Sequence, residues 1–373
     1  MSTQTEPSKS PSPEAPALPR VHRPTPAEFR DIFEAQRPVV LTGVIEEWPL
    51  AQAAQGEPSA TLERLTSLIG DRGVDYYYQP AGADGYLAFD KSDPKMAANF
   101  ERRSCAFRDL AATLRTELEA PTGQIVYMGS MSIERRLEPL ASHVRCPEYV
   151  PVDELEPSSP RIWIGMGGHR VTTHFDPYHN LLCLVAGVKR VTLFAPDQLP
   201  NMYMGPVERS PAYTPISLVD LHHVDWEKYP RFREALAAST RVDIAAGEVL
   251  FIPSFWWHAV ESLGFNVMVN YWWDDCLGIN HDALESLLAA AALARRMPPQ
   301  RRAVLRAFFE YFVFDQAADP FPTVPRELHG VFGQDGLRLQ ARLAGIRLNK
   351  ILMQLYHAGR DARRRWTGRA TRT

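Results

Sequence analysis

His174 and Asp176 stand two residues apart in Val171-Thr-Thr-His-Phe-Asp-Pro-Tyr-His-Asn180, where polar groups interrupt two β-rich runs. Residues so spaced in an extended strand point to one face, which sets an imidazole beside a carboxylate. One neutral nitrogen and one hard oxygen suit a divalent first-row metal, and a second, distant histidine would complete a two-histidine, one-carboxylate face with open positions. His258 is the candidate third ligand. It opens a strand directly after Phe251-Ile-Pro-Ser-Phe-Trp-Trp257, whose aromatic rings make a water-poor pocket where a lone histidine is costly unless bonded.

Lys189 lies in the following β-rich run, flanked by Val188, Val191 and Leu193. A lysine in such a strand ordinarily carries its ammonium out to solvent. Beside metal ligands it becomes a candidate anion receptor, able to neutralise the far carboxylate of a ligand that chelates the metal. The other histidines weigh less: His179 falls on odd parity relative to Asp176, His169 sits in a glycine-rich loop, and His222 and His223 lie in a proline-rich segment, so each reads as structural or surface.

The elements that must carry these groups follow from periodicity. Residues 1–19 hold hardly a large apolar side chain and read as a disordered tail. Thr25-Pro-Ala-Glu28 is a capping box with proline at the first helical position, and Phe29, Ile32 and Phe33 recur behind it at helical spacing. A strand over Pro38–Thr42, a helix through Leu62, Leu65 and Ile69, a strand over Val74–Tyr78 and a helix over Phe107–Leu118 come next. From Gln124 the chain turns to short β runs over 124–128, 161–166, 181–185, 188–194, 242–244, 249–252, 258–262 and 266–273. Short strands separated by glycine and proline predict a mainly β fold with helices, an antiparallel barrel or double-sheet jelly roll. The segment 197–239, with Pro200, Pro206, Pro211, Pro215 and Pro230, is too long for a passive loop and is expected to shape a binding face, with selectivity resting on it and on Trp256, Trp257 and Trp272.

Helical period returns after Cys276, with Asn280 as a cap, a stripe of Leu284, Leu287 and Leu288, a second helix bearing Val304, Leu305, Phe308 and Phe312, and a last one over 335–358. This C-terminal helical region, 277–358, either buries its aromatic residues in a core or offers them to a second copy of the chain as a homodimer. The basic tail, 359–373, carries six arginines and reads as solvated, with RNA or an acidic partner as the sharper alternative.

Composition excludes several classes. A formal net charge of -3 gives no general attraction to nucleic acid, and no apolar run has the length of a membrane span. Four scattered cysteines form no Cys-x-x-Cys pair, and a cytoplasmic setting is expected.

The segments Ile164–Asp176, Asn180, Gly187–Pro196, Phe251–His258 and Val269–Trp272, with Arg37–Gly43 and Glu47-Trp-Pro49 upstream, together resemble the cupin-type JmjC oxygenases over residues 20–276. Within that family the likeness is nearest to the asparaginyl hydroxylases of hypoxia-inducible factor. The resemblance implies a double-stranded β-helix holding Fe(II) through His174, Asp176 and His258, with 2-oxoglutarate as co-substrate and O2 as oxidant. It further implies Lys189 and Tyr127 on the distal carboxylate, Asn180 and Asn270 as polar contacts to the co-substrate, and Trp272 on the substrate side. The family's threonine three residues before the first histidine is Val171 here, so either Thr172, Thr173 or nothing supplies that hydroxyl.

The reaction so implied is hydroxylation of a protein or peptide side chain with succinate and CO2 as co-products. A modified tRNA or a small metabolite is the alternative substrate. Two rivals stay open: a cupin chemistry without 2-oxoglutarate, which ordinarily uses His-x-His followed by glutamate, and a non-catalytic binding module on the same fold.

Overall fold

The computed structural model describes residues 17–273 apart from 91–92, 94–95, 157–158, 208–209 and 211–213, together with 283–314 and scattered positions up to 348. The chain divides into two compact units, Met1–Asp274 and Asp275–Thr373.

Among the described residues of the first unit the strands are β1 (Arg20–His22), β2 (Val39–Thr42), β3 (Gly73–Gln79), β4 (Tyr86–Leu87), β5 (Glu101–Ala106), β6 (Ile125–Ser132), β7 (Arg161–Gly165), β8 (Arg170–His174), β9 (His179–Ala186), β10 (Val188–Phe194), β11 (Thr240–Ala245), β12 (Val249–Ile252), β13 (Trp257–Ser262) and β14 (Asn266–Trp273). They form a nine-stranded sheet, ordered β1-β2-β12-β9-β14-β7-β6-β3-β5, and a five-stranded sheet, ordered β11-β10-β13-β8-β4. Pairing is antiparallel except for β1 on β2 and β4 on β8. The two sheets face each other as the expected jelly roll.

The β9 strand shows what holds them together. All of its residues are buried, because both faces are covered. Leu182 and Leu184 point between the sheets and meet Val191, Leu193, Val242, Ile244 and Val260 of the smaller one. Leu181, Cys183 and Val185 belong to the opposite core, which also contains the helices α1 (Pro26–Glu34), α2 (Pro49–Ala53), α3 (Pro58–Ile69) and α4 (Phe107–Glu119) through Phe29, Leu50, Leu65 and Leu110. The α1 helix starts as the sequence dictates: Thr25 accepts from the Glu28 amide while the Glu28 carboxylate accepts from the Thr25 amide. Leu18 packs against the core between the sheets and the Pro19 carbonyl accepts from Val40; residues 1–16 of the expected tail lie outside the described residues.

A short helix α5 (Ile133–Arg136) follows β6, and α6 (Phe232–Ala237) closes the 197–239 segment. That segment builds its own core. Met202, Val219, Phe232 and Ala235 pack with Phe175, Phe194 and Trp257 against the smaller sheet, on the side away from its partner. The second unit contains α7 (Ala283–Arg295), α8 (Pro299–Phe309) and a π-helical turn over Glu310–Phe314. The expected cap at Asn280, the last helix over 335–358 and the basic tail fall outside, or almost wholly outside, the described residues. No helix among the described residues is long and apolar enough to cross a membrane.

Candidate metal centre

His174 ends β8 and His258 lies near the start of β13, and the two are register partners across that antiparallel pair. Their rings stand 4.3 Å apart, centroid to centroid. Asp176 is not in the strand that the two-residue spacing implied. Pro177 has no amide hydrogen with which to continue a ladder; β8 ends at His174 and the carboxylate arrives from the connecting turn. The turn is held: the Phe255 amide donates to the Asp176 carbonyl at 2.9 Å, and the Ser217 amide donates to the Thr173 carbonyl at 2.7 Å. One potential ligand atom from each of His174, Asp176 and His258 falls within 4.8 Å of the others.

The donor set fits a divalent cation. Nδ1 of His174 meets the Thr172 carbonyl at 2.7 Å, and Nδ1 of His258 meets the Trp256 carbonyl at 3.0 Å. Each carbonyl calls for a hydrogen on Nδ1, and with Nδ1 so engaged Nε2 is the nitrogen that can face a metal. Nε2 of His258 is 3.7 Å from the Asp176 carboxylate. Burial, with His174 second, pushes His258 down to about 3. Burial pushes Asp176 the other way, above the usual carboxylate range, opposed by His174, Arg161 and Trp272. Both shifts express the cost of charge in dry surroundings, and a bound dication would offset both. The buried Trp272 Nε1–H faces the same carboxylate, short of full hydrogen-bond geometry and with no other acceptor among the described residues.

Lys189 is completely buried, and among the described residues no carboxylate pairs with it. Burial alone pulls it down to about 7. Its ammonium donates to Ser262 Oγ at 2.8 Å and lies 5.6 Å from the centre of the Tyr127 ring. Tyr127 is buried too, which raises its phenol above the usual range. Between this end and the metal ligands runs an aromatic and amide wall. Trp163 stacks on Tyr127 at 6.0 Å and meets Trp272 edge-on at 6.3 Å, while its Nε1 donates to Asn270 Oδ1 at 2.7 Å. Asn270 in turn donates to Asn180 Oδ1 at 3.3 Å. Arg161 lies over the Trp272 ring and is held by Glu156 at 3.1 Å and by Ser130 Oγ at 2.7 Å.

The fold thus brings together His174, Asp176 and His258, and sets Tyr127, Asn180, Asn270 and Trp272 along the nine-stranded sheet with Lys189 reaching Tyr127 from the five-stranded one. It separates two others from them. Trp257 turns its ring into the core beneath the 197–239 segment, 4.8 Å from Phe175, and Trp256 donates its indole N–H to the Gln36 carbonyl. Alternation along β13 sends Trp257 and His258 to opposite faces, so Trp257 does not line the candidate metal pocket, while Trp256 packs against the core between the sheets. His179 is structural, stacked among Phe33, Phe251 and Trp273 with Nδ1 accepting from the Ser254 amide.

The Val171 question is answered by a bulge. Opposite β13 the register shifts between His258 and Val260, so that Val260 faces Val171 and two residues of β8, Thr172 and Thr173, stand against the single Ala259 of β13. The extra residue places Val171 with Leu87, Ile125 and Tyr127, on the pocket side. Thr172 turns away and bonds the Tyr86 hydroxyl at 2.7 Å, and Thr173 Oγ1 is buried without a partner. The Thr172 hydroxyl is thus committed to Tyr86, whereas that of Thr173 is committed to no partner among the described residues.

Two residues near Lys189 escaped the sequence reading. Ser262 is its register partner on β13, and His169, buried rather than on the surface, meets Ser262 Oγ at 2.9 Å. The glycines 165, 167 and 168 just before it were the available signal, since closely spaced glycines mark a place where something packs tightly.

Comparison with known proteins agrees with this architecture. The cupin-like domain family model matches residues 25–277. The chain is 25% identical to lysine-specific demethylase 8 of Xenopus tropicalis over 260 residues, covering 69% of this chain and 53% of that protein. It is 29% identical to tRNA wybutosine-synthesizing protein 5 of Gallus gallus over 261 residues, covering 66% and 73% respectively. It is also 35% identical over 137 residues to lysine-specific demethylase JMJ31 of Arabidopsis thaliana, covering 37% of this chain and 24% of that protein. The chain therefore spans about half or less of the length of two of these three relatives.

Proposed function

The chain belongs to the cupin-like domain family, and from that premise we propose that it is an Fe(II)- and 2-oxoglutarate-dependent oxygenase of the JmjC type. The observation that carries this reading is the pairing of two Nε2-presenting histidines and a carboxylate with a fully buried lysine of the same five-stranded sheet, which among the described residues pairs with no carboxylate. His174, Asp176 and His258 would hold the iron. Such an ion, with 2-oxoglutarate and O2, supplies C–H hydroxylation coupled to decarboxylation of the oxo acid to succinate and CO2.

The protein's own contribution is orientation and dryness. Lys189 neutralises the distal carboxylate and Tyr127 adds its hydroxyl at the same end. Asn180 and Asn270, locked by Trp163, present amide groups along the co-substrate, and Trp272 with Arg161 bounds the substrate side.

The substrate of this proposal is a protein side chain, hydroxylated in the manner of the asparaginyl hydroxylases that the sequence resembles. RNA is the second reading, supported by the six arginines after residue 359 and by the similarity to a tRNA wybutosine-synthesizing protein. Exposed Leu287, Val304, Phe308 and Phe314 on the C-terminal helices support a homodimer through that region. Anaerobic loading with Fe(II), followed by oxygen and 2-oxoglutarate, tests the reading: succinate should form, dependent on His174, Asp176 and His258. Iron bound without succinate, with or without candidate peptides, would sink it and leave a binding module.

A further inference from the structure

We infer that His169 is a positioning residue for the co-substrate lysine, acting through Ser262. The inference rests on the co-substrate reading of Lys189 proposed above.

The geometry is a single hydrogen-bonded line. The Lys189 ammonium can only donate, and it donates to Ser262 Oγ at 2.8 Å. Ser262 Oγ meets Nε2 of His169 at 2.9 Å. Burial and the neighbouring lysine hold the His169 ring neutral, and the Gly167 carbonyl, the group that opposes them, favours the tautomer with its proton on Nδ1; in that tautomer Nε2 accepts and the serine hydroxyl donates to it. Its lone pairs are then turned towards the ammonium. A hydroxyl with no acceptor behind it would be free to rotate; this one is fixed, and the ammonium with it.

The surroundings are built for that ring. The His169 carbonyl accepts from the Ser262 amide at 3.0 Å and the Ser262 carbonyl accepts from the Gly168 amide at 2.9 Å, so the loop and β13 are clasped at these two residues. Tyr127 packs on the His169 ring at 4.0 Å between centroids. A Cβ on Gly165 would meet His169 Cε1 at 2.5 Å and Tyr127 Cδ2 at 2.9 Å, so the absent side chain is the space the imidazole occupies. Asn266, completely buried, donates to the Gly264 carbonyl at 2.8 Å and steadies the facing turn. None of these contacts touches the metal ligands, so the effect should be confined to the distal carboxylate.

Calorimetric titration of the full chain loaded with Mn(II) separates the possibilities. The probes are 2-oxoglutarate and 2-oxopentanoate, which has the same chain with a methyl group in place of the distal carboxylate. His169→Leu should weaken 2-oxoglutarate about tenfold while leaving 2-oxopentanoate and Mn(II) unchanged. His169→Gln, whose amide oxygen can accept from Ser262, should restore most of the loss. Ser262→Ala should weaken 2-oxoglutarate to a similar extent, and combining it with His169→Leu should cost nothing further, as expected for two members of one line. Equal loss of both oxo acids, or wild-type affinity in His169→Leu, would overturn the inference. A wild-type protein that does not prefer 2-oxoglutarate to 2-oxopentanoate would overturn the co-substrate reading itself, and this one with it.

Discussion

His174 and His258 face each other directly across two antiparallel strands, with their rings 4.3 Å apart and each Nδ1 tied to the carbonyl two residues before it. Both rings are therefore oriented before any ion arrives, and removing either should cost roughly 100-fold or more in metal affinity, since loss of mere outer-shell partners commonly costs up to that. Metal at about 100 times its Kd should stabilise the wild type by about 2.7 kcal/mol. The thermal shift on adding Mn(II) or Fe(II) should vanish in His174→Ala and His258→Ala.

Co-substrate binding should depend on pH through Lys189. Its pKa is pulled from 10.5 to about 7 by burial, with the neutral rings of Tyr127 and His169 as its titratable neighbours. Below that value the ammonium is already formed when the dicarboxylate arrives. Above it, binding must take up a proton, so affinity should fall by up to about tenfold per pH unit. The sign for folding is the reverse: between about 7 and 10.5 the unfolded chain holds more protons, so this lysine's contribution makes stability rise with pH. Titrations at pH 8 in buffers of different ionisation enthalpy should reveal proton uptake; its absence would count against Lys189 as the anion receptor.

Val171→Thr would restore a hydroxyl beside Tyr127. Without ligand the hydroxyl has no assured partner in an apolar niche, and a loss of about 1–3 kcal/mol is expected. With 2-oxoglutarate present it gains an acceptor, so the variant should bind the co-substrate more tightly while unfolding at lower urea.

Gly165→Ala should act on the opposite side of the pocket. The new methyl meets the His169 and Tyr127 rings at 2.5 and 2.9 Å, and neither has room to retreat. Overpacking of this kind costs about 1–3 kcal/mol. Urea unfolding should report that loss, and 2-oxoglutarate affinity should fall with it, with Mn(II) affinity preserved.

The contrast between His174 and His169 shows how much of this centre could be seen beforehand. His174 stands out because a β-rich run is interrupted by groups with metal chemistry at a strand's spacing, and His258 because it follows a dense aromatic cluster. His169 follows glycines, which report that something comes close without saying what. The same holds for secondary structure: the alternating and apolar runs of β9, β10 and β14 announce themselves, whereas Glu101–Ser104 of β5 is exposed along the edge of its sheet and carries no pattern to read.

Residue chemistry and short-range period alone determined the ligand types, the capping box at Thr25, most of the strands and the jelly-roll class, since each depends on neighbours within a few positions. Tertiary structure decided what depends on partners far along the chain. It buried Lys189 with no carboxylate partner among the described residues, joined it through Ser262 to His169, turned Trp257 away from His258 and its neighbours, and inserted the bulge that sets Val171 beside Tyr127. Alternation fixes only which residues share a face; register, bulges and the second layer fix what that face meets.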